Sequence, residues 1–116
     1  MSRMVHITLE AAEKLLKDGI ELEVIDLRSL SPIDRLTILE SIKQTHRLMV
    51  VDEDNPRCSI ACDIVALVCS EAFDQLDAPP RMVTAPHTPV PFSPPMEDYY
   101  IPSVEKIIST VKTIFA

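Results

Sequence analysis

Along the first part of the chain Val5, Ile7, Ala11, Ala12, Leu15 and Leu16 recur at helical spacing, which predicts an amphipathic helix over Met4 to Asp18. Gly19 stands where a helix end favours a left-handed residue, so the helix should stop there. Leu22-Glu23-Val24-Ile25-Asp26-Leu27 is short and rich in branched side chains, which predicts a strand. Ser31-Pro32 then marks a helix start, and Asp34 suits the positive end of its dipole. Ile33, Leu36, Ile38, Leu39 and Ile42 supply the apolar face of this second helix. Within His46 to Val51, the run Leu48-Met49-Val50-Val51 reads as a buried strand.

A third helix is predicted from about Cys58 to Phe73, broken by Asp77-Ala78-Pro79-Pro80 ahead of a strand Arg81 to Ala85. Between positions 86 and 102, Pro86, Pro89, Pro91, Pro94, Pro95 and Pro102 argue against both helix and central strand. This stretch is predicted to be extended, laid over the domain surface or against a partner. Ile101-Pro102-Ser103 opens a last helix carrying Val104, Ile107, Ile108, Val111 and Phe115. Strands alternating with helices predict an α/β fold in three layers, α/β/α, with a mostly parallel sheet and right-handed crossovers.

The start of this pattern is unusual, because open parallel sheets begin with a strand and here the first element is a helix. Three strands for four helices make a narrow sheet and leave apolar helix faces without cover. The expectation is a single domain over residues 1–116, lacking its first strands as a fragment or a shortened gene product. Such a piece should self-associate when isolated, because unpaired sheet edges and bare helix faces are sticky.

Charge narrows the range of partners. The 11 basic and 18 acidic residues give a net charge of −7, which repels a phosphate backbone and disfavours nucleic acid. No apolar run reaches the ~20 residues of a membrane span, and the N-terminus lacks a signal-peptide layout, so a soluble, cytoplasmic chain is expected. Three cysteines, an odd number, argue against a secreted disulfide framework. Cys58, Cys62 and Cys69 fall within about 40° of one another on a helical wheel, which predicts buried, small, apolar cysteines rather than a metal site.

Candidate chemistry is sparse. The chain has one glycine, so no glycine-rich loop can bring backbone amides up to a phosphate, and no Gly-x-Ser-x-Gly elbow occurs. Asp52-Glu53-Asp54-Asn55 follows a strand end, where open α/β sheets place their sites. These acids could bind a metal or work as an acid–base pair, but they read first as a solvated turn ahead of a helix. His87, in Ala85-Pro86-His87-Thr88-Pro89, also follows a strand end; it could face a substrate channel or be a loop histidine satisfied by backbone.

Several blocks match one family together. Ser2-Arg3-Met4-Val5-His6 leads into Leu9-Glu10-Ala11-Ala12-Glu13, followed by Glu23-Val24-Ile25-Asp26-Leu27-Arg28-Ser29-Leu30-Ser31-Pro32 and Val50-Val51-Asp52-Glu53. Leu76-Asp77-Ala78-Pro79, Ala85-Pro86-His87-Thr88-Pro89-Val90-Pro91-Phe92, Glu97-Asp98 and Ile101-Pro102 carry the match to the end. The chain resembles the transketolase-type C-terminal domain of β subunits of thiamine-diphosphate-dependent 2-oxo acid or acetoin dehydrogenases, with the proline-rich block closer to the acetoin branch. The turn Asp54-Asn55-Pro56-Arg57-Cys58-Ser59 departs from relatives that carry glycines there.

That resemblance implies a part of a larger enzyme, inactive alone. The parent would decarboxylate pyruvate or a branched-chain 2-oxo acid oxidatively, or cleave acetoin, and pass the acyl group to a lipoyl arm. It would assemble from α subunits and a second β subunit, with thiamine diphosphate and magnesium held outside this domain. The resemblance also implies docking to the subunit-binding domain of the dihydrolipoyl acyltransferase through Asp77 and the terminal carboxylate of Ala116. Glu53 and His87 would face an interface or channel. Two rival readings are a free-standing interaction module and the C-terminal domain of a transketolase-type transferase.

Overall fold

The computed structural model describes residues 3–89 and 91–115. Helix α1 spans Arg3–Lys17 and ends at the predicted glycine. Gly19 has φ of +81°, its amide donates to the Leu16 carbonyl at 3.0 Å, and the Ile20 amide donates to the Leu15 carbonyl at 3.0 Å. Two otherwise orphaned carbonyls are thereby satisfied, and Ile20 folds back against the core that contains Leu15.

Helix α2, Arg35–Thr45, starts on Asp34, whose carboxylate accepts from the Thr37 amide at 3.2 Å and from the Thr37 hydroxyl at 2.7 Å. It ends on His46, left-handed at φ +59°, whose amide closes on Ile42. Helix α3, Ile60–Glu71, continues into a 3-10 turn over Phe73–Gln75. Helix α5, Val104–Ile114, is capped by Ser103, which accepts from the Lys106 amide at 3.2 Å.

Strands β1, Met49–Val51, and β2, Arg81–Val83, pair in parallel with Met49 opposite Arg81 and Val51 opposite Val83. Side chains alternate across this small sheet. Val50 packs with Ile38 and Ile42 of α2 and Ile64 and Val68 of α3. Val83, with Met49 and Val51 beside it, packs with Ala11 and Leu15 of α1 and Ile107 and Val111 of α5. Two helix pairs therefore sandwich a parallel sheet, the three-layer α/β/α order that the alternation of elements predicts.

Four expectations need correction. The strand predicted over Leu22–Leu27 has no regular secondary structure and belongs to no ladder, and among the described residues none of its backbone groups from 21 to 26 makes a backbone hydrogen bond. A strand is defined by its neighbour, and a cavity separates this segment from β1. The proline-rich stretch holds a short helix, α4, Pro94–Tyr100. Its two prolines take the first turn, where the missing N–H groups would have had no partner anyway. Cys58 lies outside α3, exposed and at φ +52°, while Cys62 and Cys69 are half-buried, so the three do not form one buried stripe. Leu36, assigned to the apolar face of α2, is 74% exposed.

Candidate functional site

The candidate residues fall at opposite ends of the sheet. At the amino end, the Asp77 amide donates to the His46 carbonyl at 2.8 Å, and the Arg81 amide donates to the Leu48 carbonyl at 3.0 Å. His46 is held in turn by its Nδ1, 2.8 Å from the Gln75 carbonyl. These bonds fix the loop after α3 against the entry to β1 and leave the Asp77 side chain exposed. The Arg47 guanidinium lies over the Phe115 ring, 4.4 Å from its centroid, so the last described residue of the chain meets the same end of the sheet. Ala116, the other residue assigned to docking, lies outside the described residues.

At the carboxyl end, β1 runs into Asp52-Glu53-Asp54. The Asp52 amide donates to the Val83 carbonyl at 2.9 Å and the Ala85 amide to the Asp54 carbonyl at 3.0 Å, so the two strand exits stay side by side. The acids serve their own turn: Asp52 accepts from the Asp54 amide at 3.2 Å, Asp54 from the Asn55 amide at 2.8 Å, and Asn55 from the Arg57 amide at 3.0 Å. Glu53 is exposed. His87 is exposed in the adjoining loop, which is tied by the Tyr100 hydroxyl donating to the Thr88 carbonyl at 3.0 Å. Glu53 and His87 thus share an end of the sheet and stand apart from Asp77.

Between the 22–27 segment and β1 lies a cavity of about 810 Å³. Met4, Val5, Val111 and Ile114 wall it on one face, and Ile38, Ile42 and Ile64 on the other. Of the two charged side chains at its ends, Asp52 belongs to the acidic cluster singled out in the sequence, and Arg47 escaped the sequence reading. Arg47 Nε and Asp52 Oδ2 are buried, line the cavity and have no hydrogen-bond partner among the described residues. The only sequence signal of Arg47 is that it precedes an apolar run.

Comparison with known proteins places this arrangement. Residues 1–107 match the family described as the transketolase, C-terminal domain, and the chain belongs to that family. It is 56% identical over 94% of its length to the acetoin:2,6-dichlorophenolindophenol oxidoreductase subunit beta of Bacillus subtilis (strain 168). It is 57% identical over 94% of its length to the protein of the same name from Cupriavidus necator. Against the pyruvate dehydrogenase E1 component subunit beta-1, mitochondrial, of Arabidopsis thaliana it is 40% identical over 96% of its length. The matched part is 32% of each of the first two relatives and 31% of the third, so the chain spans about a third of their length. A solved structure described as a split gene transketolase, inactive beta4 tetramer, shares the fold with a TM-score of 0.79 at 23% identity; the match covers 96% of this chain and 35% of that one.

The single glycine is spent on the end of α1, and among the described residues no three His, Cys, Asp or Glu side chains are grouped to hold a metal ion. Nor, among those residues, is any helix long and apolar enough to cross a membrane.

Proposed function

We propose that this domain is the assembly and docking part of the β subunit of a cytoplasmic thiamine-diphosphate-dependent dehydrogenase acting on acetoin or a 2-oxo acid, with cofactor and magnesium carried elsewhere in the enzyme. The names of the relatives support the enzyme class, and the acetoin branch is favoured by the higher identity to those subunits. The amino end of the sheet is the docking surface for the subunit-binding domain of the acyltransferase. One observation carries that assignment: Asp77 and Phe115 are both anchored on the consecutive residues His46 and Arg47, so the Asp77 carboxylate and the end of α5 are held at one place. The carboxyl end, with Glu53 and His87, faces the α subunit and second β subunit.

A net charge of −7 favours a basic partner and would chiefly raise the rate and specificity of association. The test is calorimetric titration of the β subunit with the acyltransferase's subunit-binding domain at low salt. Asp77→Ala should weaken docking by about 1 to 3 kcal/mol, as expected for loss of a charge-assisted hydrogen bond. Unchanged affinity would remove Asp77 from the interface.

A further inference from the structure

His46 meets the turn that carries Asp77 at two points. Its carbonyl accepts from the Asp77 amide at 2.8 Å, and its Nδ1 lies 2.8 Å from the Gln75 carbonyl. A carbonyl can only accept, so Nδ1 carries the proton of that bond. The His46 amide meanwhile closes α2 on the Ile42 carbonyl at 2.9 Å. Both backbone groups of His46 and one ring nitrogen therefore tie the end of α2 to the 75–77 turn.

No side-chain partner does the same for Asp77. Gln75 and Leu76 donate within their own 3-10 turn, to the Ala72 carbonyl at 3.0 Å and the Phe73 carbonyl at 3.2 Å, and Leu76 packs on the core beside α3. Pro79 and Pro80 have no N–H to give. The next anchor is the Arg81 amide, which donates to the Leu48 carbonyl at 3.0 Å. The Asp77 side chain is exposed and joins no ion pair among the described residues. Its direction is thus set through the backbone, and His46 holds that backbone on both sides of Leu76.

The residue type at this position separates two roles. His46 lies at φ +59°, a conformation that glycine adopts without strain, as Gly19 does at the end of α1. Glycine here would close α2 and supply the same amide and carbonyl. What the imidazole adds is the bond to Gln75.

We propose that His46 is a positioning residue for docking, whose imidazole holds the 75–77 turn so that the Asp77 carboxylate meets its basic partner already ordered. Ordering that turn then takes nothing from the affinity. This inference rests on the docking role of Asp77 argued above.

The test is calorimetric titration of the β subunit with the acyltransferase's subunit-binding domain at low salt, for His46→Gly and His46→Asn, each alone and combined with Asp77→Ala. Glycine keeps the left-handed cap but loses the ring, so docking should weaken about fivefold, the worth of one neutral hydrogen bond. Asparagine tolerates the left-handed region and brings an amide nitrogen near the place of Nδ1, so it should restore the affinity. With Asp77→Ala present, His46→Gly should weaken docking no further. Nitrogen chemical shifts of the neutral imidazole should place its proton on Nδ1. If Asp77→Ala weakens docking and His46→Gly does not, the positioning role is overturned and the docking role stands. Equal losses from His46→Gly in both backgrounds, failure of asparagine to rescue, or a neutral ring with Nδ1 bare would each overturn it as well. Unchanged affinity for Asp77→Ala overturns both.

Discussion

Gly19 shows how far a single residue can be read. It is the chain's one glycine, it lies at φ +81°, and an added Cβ would meet nothing within 4 Å. The cost of Gly19→Ala is therefore backbone strain alone, about 1 to 2 kcal/mol, with Gly19→Asn losing less because asparagine tolerates the left-handed region. Thermal or urea melts of the two variants check both the size and the order. Asp34 is legible by the same local logic. Its carboxyl is held below its ordinary pKa first by the Thr37 hydroxyl and then by the Thr37 amide. A folded pKa below the unfolded one means that the cap stabilises the fold above the unfolded value and is lost as pH falls through the folded value. Asp34→Asn keeps a capping oxygen but does not titrate, so its stability should vary less with pH between about 2 and 5. Equal acid sensitivity of parent and variant would show that other carboxylates dominate acid unfolding. His46 and Cys58 adopt the same left-handed region with φ of +59° and +52°, and neither residue type signals it. Their conformations come from the contacts of the folded chain.

At the scale of elements, helix ends were legible and helix faces only partly so. Glycine at a stop and serine at a start act through neighbours three or four residues away, so Gly19 and Ser103 mark their helices correctly, whereas α2 begins only after its cap Asp34, beyond the start expected at Ser31-Pro32, and leaves Ile33 outside the helix. Pro94 and Pro95 misled because proline breaks a helix interior but fits its first turn, and α4 begins on them. Which apolar residues are buried depends on what packs opposite, and that is not local. Ile107 of α5 is 0% exposed against α1, whereas Leu36 of α2 is mostly exposed although its spacing is equally helical. Ile107→Ala should cost about 2 to 5 kcal/mol through lost burial and the cavity left behind, and Leu36→Ala close to nothing. Similar losses for the two in chemical denaturation would mean that another segment or a second copy covers Leu36 in solution. The candidate site divides in the same way. Asp77, Glu53 and His87 were placed from motif likeness and strand ends, but their separation onto two ends of the sheet appears only with the fold. Arg47 becomes notable only once its buried, unpartnered Nε is seen beside the cavity.

Across the whole molecule, the two helix pairs enclose less sheet than they can cover, and apolar surface remains open. Phe92 is 100% exposed and Tyr99 is 93% exposed, next to and on α4. Phe73 and Leu36 are also mostly exposed. A charge of −7 opposes close approach of copies, but over the ~10 Å screening length at 0.1 M salt that repulsion fades while apolar attraction does not. The isolated chain should therefore self-associate, and more strongly as salt rises. Light scattering over a concentration series at two salt levels measures this directly. Phe92→Ser combined with Tyr99→Ser should shift the distribution toward monomer without lowering the melting temperature of the monomeric fraction, since neither side chain is part of the core. If the double variant associates as strongly as the parent, the sticky surface is the open edge of the sheet or the exposed face of α2 instead. In that case Leu36→Ser separates the two, because it would dissolve an association through the face of α2 and leave one through the sheet edge unchanged.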